Sequence, residues 1–164
     1  MQATVHVEDR GLQFADGVYE VCEIRAGRLV DERRHMERLT RSLGEISIPL
    51  PMSLKALGIV LRETVRKNRV HDGLVYMQVT RGVAKRDFAF PPSGTRPSLI
   101  VTARAKNRQQ AEDSAAKGIS VVTVKDNRWD RVDIKSTGLL PNVLARQEAR
   151  KRGAGEAWFI DAED

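Results

Sequence analysis

Five side chains in this sequence have types and settings that could do chemistry. Lys135 stands in VDIKSTGLLPNVL, between the apolar segments ISVVTV and VDI, which read as buried strands, and LLPNVLARQEARKRG, which reads as a helix. In a low-dielectric pocket an ammonium is disfavoured, and the free amine can add to a carbonyl as a Schiff base. Spacing alone favours the plainer alternative, a solvated lysine in a loop. Arg81 and Arg86 flank a loop that leaves the strand VYMQVT. A guanidinium there can grip a carboxylate through two parallel hydrogen bonds, or can be a solvated loop arginine. Tyr19, one of two tyrosines, either lines a site with its hydroxyl or caps the edge of the core. Arg38 borders the apolar stripe of its helix, from where it can reach an anion such as a phosphate.

Other chemistries lack their residues. His6, His35 and His71 are far apart in sequence, and Cys22 has no CxxC partner, so no zinc pattern forms. The glycines of DRGLQFADGVYE have the wrong spacing for a dinucleotide or P-loop cradle, and its acids miss a calcium-loop pattern. DRG and ADG read as turns, either shaping a ligand wall or simply closing hairpins. The net charge is +6, with a pI near 9.8. The bases are spread along the chain among acids, and aromatic residues make up only 5%. Nucleic acid is therefore not expected as a partner, since a stacking platform and a basic stripe are both missing. No segment approaches the roughly 18 apolar residues of a membrane span, and no apolar signal region opens the chain. A single cysteine fits a cytoplasmic setting.

The elements that must position these side chains are legible in outline. TVHVED reads as a short strand, and VYEVCEIRAGRLV as two strands about a turn at Ala26-Gly27. Met36, Leu39 and Leu43 recur at helical spacing, with Gly44 as the stop. A second helix is capped by Ser53 and striped by Leu54, Leu57, Leu61 and Val65. LVYMQVT and SLIVTAR are strands around a Gly- and Pro-rich loop. Residues 1–104 form an N-terminal α/β domain, and the polar stretch 105–118 reads as a linker or poorly packed connector. Residues 119–164 make an incomplete second domain, with DIK, a helix and EAWFIDAED. Ser136 or Thr137 is placed to cap that helix. Pro141 suits its first turn, and Leu139, Leu140, Val143 and Leu144 are expected to pin one side.

Taken together, VEDRGLQFADGVYEV, HMERL, YMQVTRGVAKRDFAF and RVDIKSTGLLPNVLARQEA resemble the pyridoxal-phosphate enzymes of fold type IV, from about Thr4 to Phe159. The likeness is greatest to the D-amino-acid aminotransferases, whose relatives are the branched-chain aminotransferases and the aminodeoxychorismate lyases. The resemblance implies an α/β (α+β) fold with a small two-layer N-terminal domain, and a homodimer. It implies transfer of an amino group, from D-alanine or similar D-amino acids, to a 2-oxo acid such as 2-oxoglutarate. By the same resemblance Lys135 is the Schiff-base lysine and Arg38 grips the cofactor phosphate. Tyr19 and Arg86 bind the substrate carboxylate, and His35 lines the site at one remove. Glu156 lies near the cofactor side. Phe88 stands where the D-amino-acid enzymes usually carry a histidine, which removes one donor from the carboxylate grip. Family members are longer at the C-terminus, so the chain reads as a fragment. Branched-chain transamination, aminodeoxychorismate cleavage and an inactive remnant are the alternative functions.

Overall fold

The computed structural model describes residues 3–161. Two compact units share the chain. The first comprises the residues up to Lys106 together with Asp133–Gly138; the second comprises Asn107–Val132 and the residues from Leu139 onward.

The first unit is a four-stranded antiparallel sheet in the order β2-β1-β3-β4: β1 is Gly17–Arg25, β2 Arg28–Leu29, β3 Gly73–Thr80 and β4 Ser98–Ala105. The β1–β2 hairpin turns at Ala26 and Gly27, both at positive φ, as a two-residue hairpin loop requires. Period-two alternation sends Val18, Glu20, Cys22 and Ile24 to the buried face of β1. Three helices accompany the sheet: α1 is Arg10–Phe14, α2 Glu32–Glu45 and α3 Leu54–Lys67. Leu39 and Leu43 of α2 and Leu57 and Leu61 of α3 bury almost completely in the core with Val75, Met77 and Val79 of β3. Each such side chain contributes about 1.5–3 kcal/mol of apolar burial. Ser53 caps α3 by accepting the Ala56 amide proton.

Several local expectations change. TVHVED is not a strand: Val5 and Val7 both stand in water, and only an isolated bridge joins Asp9 to Val83. DRG opens a helix rather than a turn, because the Asp9 carboxylate accepts the Gly11 amide proton and nucleates α1. Gly44 does not end α2, which runs on to Glu45; the chain reverses at Ser47, at φ 54°. Leu54 remains partly in water, and Gly58 takes its place on the buried side of α3.

In the second unit α4 (Arg108–Lys117) occupies the stretch read as a connector, and none of its residues is buried. Strands β5 (Val121–Lys125) and β6 (Glu156–Ile160) pair in parallel, joined through α5 (Leu140–Lys151). Ser136 and Thr137 do not cap α5: its N-cap is Leu139, without a side-chain bond, and Pro141 sits in its first turn. Leu140, Val143 and Leu144 are exposed, and α5 buries Ala145 and Ala149 instead. No helix among the described residues is long and apolar enough to cross a membrane.

Candidate active site

The segment VDI, read as a buried strand of the second unit, belongs with the first through residues 133–138. The reason lies in the sheet. β2 pairs only with Ile24 and Arg25, so the Gly17–Glu20 end of β1 keeps an open edge. Residues 134–137 fill it. The Tyr19 amide donates to the Lys135 carbonyl at 3.0 Å, and the Thr137 amide donates to the Gly17 carbonyl at 3.0 Å. Thr137 Oγ1 donates to the Ala15 carbonyl at 2.9 Å, and Ile134 is buried in the core. On the helix side, Ser42 Oγ accepts the Lys135 amide proton at 3.3 Å, and Arg41 donates to both the carboxylate and the carbonyl of Asp133. Lys135 is thus held through its own backbone amide and carbonyl.

Its side chain meets Tyr19. Lys135 Nζ donates to the Tyr19 hydroxyl at 3.3 Å and lies 4.4 Å from the ring centroid. No carboxylate pairs with that ammonium among the described residues. Tyr19 stacks on Tyr76 at 5.6 Å, and the Tyr76 hydroxyl donates to Gln78.

Glu20, one residue on, faces the other way and is fully buried. It gathers two bases from one side of α2, where His35, Arg38 and Ser42 fall at i, i+3 and i+7. Arg38 makes a two-pronged pair, Nε to Oε1 at 2.5 Å and Nη2 to Oε2 at 2.7 Å. His35 Nδ1 lies 2.8 Å from Oε2. Burial works against the Glu20 charge, but the bonds and charges of Arg38 and His35 outweigh it, and the carboxyl sits below its ordinary range. The same bond raises Arg38. The Arg38 side chain remains 47% exposed, so donors not used by Glu20 are open to an anion. Among the described residues, no cluster of three or more His, Cys, Asp or Glu is placed to hold a metal.

Arg86 and Phe88 gather elsewhere, around Phe14. The Arg86 guanidinium lies 4.7 Å from the Phe14 centroid, and the Phe88 ring lies 5.5 Å away, itself largely in water. No hydrogen bond joins either to Tyr19 or Lys135 among the described residues. Arg81 is not on offer to a ligand carboxylate. It is buried and pairs twice with Asp16, at 2.7 and 2.9 Å. Glu156 belongs to the second unit, where it pairs with Arg146 at 3.3 Å. The bond it accepts from the Ala157 amide, then Arg146, lowers its carboxyl.

Sequence reasoning passed over Glu20, Asp16 and Ser42. A carboxylate amid the apolar alternation of VYEVCEI is the one signal that marked Glu20 as a buried charge needing partners. Asp16 and Ser42 carried no comparable mark.

A family model, Amino-transferase class IV, matches residues 17–164. The D-alanine aminotransferase of Staphylococcus haemolyticus is 42% identical over 156 residues, covering 95% of this chain and 55% of that protein. The D-alanine aminotransferase of Listeria monocytogenes is 39% identical, covering 94% of this chain and 54% of its own length. Among solved structures, the 4-amino-4-deoxychorismate lyase of Pseudomonas aeruginosa superposes with a TM-score of 0.81 at 27% identity, over 99% of this chain and 59% of that one. The branched-chain amino acid aminotransferase of Escherichia coli has the same fold, with a TM-score of 0.81 at 23% identity, over 98% of this chain and 56% of that one. A hypothetical aminotransferase of Mycobacterium tuberculosis in its PLP-bound form scores 0.77 at 21% identity, over 99% of this chain and 58% of that one. The chain belongs to the class IV aminotransferases, with the fold type IV architecture. It spans about half the length of the curated relatives it matches.

Proposed function

We propose that this chain is the lysine-bearing part of a pyridoxal-phosphate-dependent transaminase. Its donor is D-alanine or a similar small D-amino acid, and its acceptor is a 2-oxo acid such as 2-oxoglutarate. The observation that carries this reading is Lys135: its backbone is held at both ends, and its amine rests on a tyrosine hydroxyl with no carboxylate partner among the described residues. Pyridoxal phosphate, when bound, supplies the carbonyl for a lysine amine and the electron sink for the substrate carbanion.

The residues present suit that group. Arg38 offers its remaining N–H donors to a phosphate while Glu20 holds two of the five and fixes the guanidinium plane. His35 acts through Glu20, locking the acceptor that orients Arg38. Lys135 Nζ would act as the base that removes the proton from the substrate α-carbon and as the acid that delivers it on the cofactor side, with the reverse order when the 2-oxo acid is aminated. The Tyr19 hydroxyl accepts a hydrogen bond from that Nζ, keeping the amine on one face of the site, and stands beside the substrate carboxylate. Arg86 grips that carboxylate, and Phe88 adds an apolar wall in place of a donor. Glu156 lies on the cofactor side. The protein works in the cytoplasm as a homodimer.

Identity of about 40% with D-alanine aminotransferases supports the D-amino-acid donor over the branched-chain and aminodeoxychorismate alternatives, which rest on lower identities. Incubation with pyridoxal phosphate, borohydride reduction and peptide mapping are expected to place the pyridoxyl label on Lys135. A label on Lys117 or Lys125 instead overturns the assignment.

A further inference from the structure

We propose that Arg10, held by Asp16, is a positioning residue that fixes the direction of Arg86. This rests on the substrate-binding role given to Arg86 above. Arg10 Nη1 donates to the Asp87 carbonyl at 2.6 Å, the peptide between Arg86 and Phe88. Its Nε donates to Asp16 Oδ2 at 2.7 Å, and the same carboxylate clasps Arg81, the first residue of that loop. Arg81 in turn donates to the carbonyls of Ile46 and Ser47 and lies 3.7 Å from the Phe90 ring centroid, farther along the loop. The loop entry is sewn down as well. The Arg10 amide donates to the Gly82 carbonyl, and the Ala84 amide donates to the Glu8 carbonyl. Gly82 sits at φ +100°, and a Cβ there would come within 2.0 Å of the Arg96 carbonyl. Arg10 and Arg86 both lie against the Phe14 ring, at 4.8 and 4.7 Å.

Two buried guanidiniums sharing one carboxylate are a poor route to stability, because apolar side chains of the same volume avoid the desolvation cost. What this arrangement provides that an apolar cluster cannot is a donor fixed on the Asp87 carbonyl. A backbone held at that point restricts Arg86 to the Phe14 shelf before any substrate arrives. Less conformational entropy is then lost when a carboxylate binds. Arg10 is the part that touches the loop next to Arg86, and Asp16 holds Arg10.

The test compares Arg10→Met with Arg10→Lys in the full chain. Limited trypsin digestion under native conditions reads cleavage after Lys85 and Arg86 against cleavage after Lys67, at the end of α3 in the same unit. Arg10→Met is expected to raise the loop cleavage about tenfold relative to Lys67, as one charge-assisted bond is lost from a local opening equilibrium. Arg10→Lys, which keeps the charge and one donor, is expected to recover most of the protection. An equal rise at Lys67, or no recovery with lysine, reduces Arg10 to a general folding residue and overturns the proposal. In the transaminase assay, Arg10→Met is expected to raise KM for D-alanine about tenfold with kcat little changed. A fall in kcat at unchanged KM overturns it too. If borohydride labels another lysine, the transaminase reading falls, while a selective and rescued cleavage change still establishes the positioning.

Discussion

Asp16→Asn should be the most destabilising single exchange at the two charge clusters, more so than Glu20→Gln. The side chains of Arg10 and Arg81 are 4% and 8% exposed, and Asp16 is 13% exposed. Removing the carboxylate leaves two guanidiniums side by side, out of water and without a counter-charge. Breaking a buried pair in this way costs about 3–5 kcal/mol. Glu20 is more deeply buried than Asp16, yet its removal should cost less. Its main partner Arg38 is 47% exposed and can turn to water, so the loss is about 1–2 kcal/mol, that of charged hydrogen bonds exchanged for solvent. At roughly 4–8 °C per kcal/mol for a unit of this size, Asp16→Asn should lower Tm by about 15 °C or more. Thermal and urea unfolding followed by circular dichroism at neutral pH measures both variants. Acid adds a second readout. Burial pushes the Asp16 carboxyl up, but its bonds and charges with Arg81 and Arg10 outweigh this, so it sits below its ordinary value, as Glu20 does. A carboxyl depressed in the folded state binds its proton more readily when unfolded. Its stabilisation is therefore complete above the unfolded value, 3.8 for Asp16 and 4.5 for Glu20, and is lost as pH falls through the lower folded value. The wild type should lose stability as pH drops below about 4.5, and Asp16→Asn should lose less over that range. A smaller cost for Asp16→Asn than for Glu20→Gln, or an unchanged acid slope, would refute the argument from solvent access.

Two further outcomes follow from the site. Arg38→Ala should weaken pyridoxal phosphate retention on dialysis by about 10–100-fold, whereas Glu20→Gln, which keeps the guanidinium but loosens its plane, should weaken it less; equal retention in Arg38→Ala and wild type would exclude Arg38 as the phosphate ligand. Phe88→His should leave the unfolding free energy within about 0.5 kcal/mol of wild type, since the ring is 86% exposed, and should raise kcat/KM for D-alanine about tenfold by adding a donor. An unchanged ratio of D-alanine to L-leucine efficiency would count against the D-specific reading.

Helices α2 and α3, the β1–β2 hairpin and strands β3 and β4 were legible because their signals are local. Leucines at helical spacing, a serine cap and an alternating strand each act within a few residues. The types of the reactive residues were equally plain, since a lysine, an arginine and a tyrosine carry their chemistry in any fold. The signal for Glu20 was local as well, a carboxylate in an otherwise alternating apolar strand, but sequence reasoning passed over it.

Only the tertiary structure decided which partners meet. Lys135 and Tyr19 are 116 residues apart, and their contact exists because β2 stops short and leaves an edge of β1 for residues 134–137 to fill. Nothing local in VDIKS states that its amide and carbonyl will be claimed by Ser42 and Tyr19, so the segment read as a strand of the second unit. The same holds at Asp16, 65 residues from Arg81 and six from Arg10. Backbone edges and buried charges must be satisfied wherever the chain folds back, and that requirement selects among many possible pairings that look alike along the sequence.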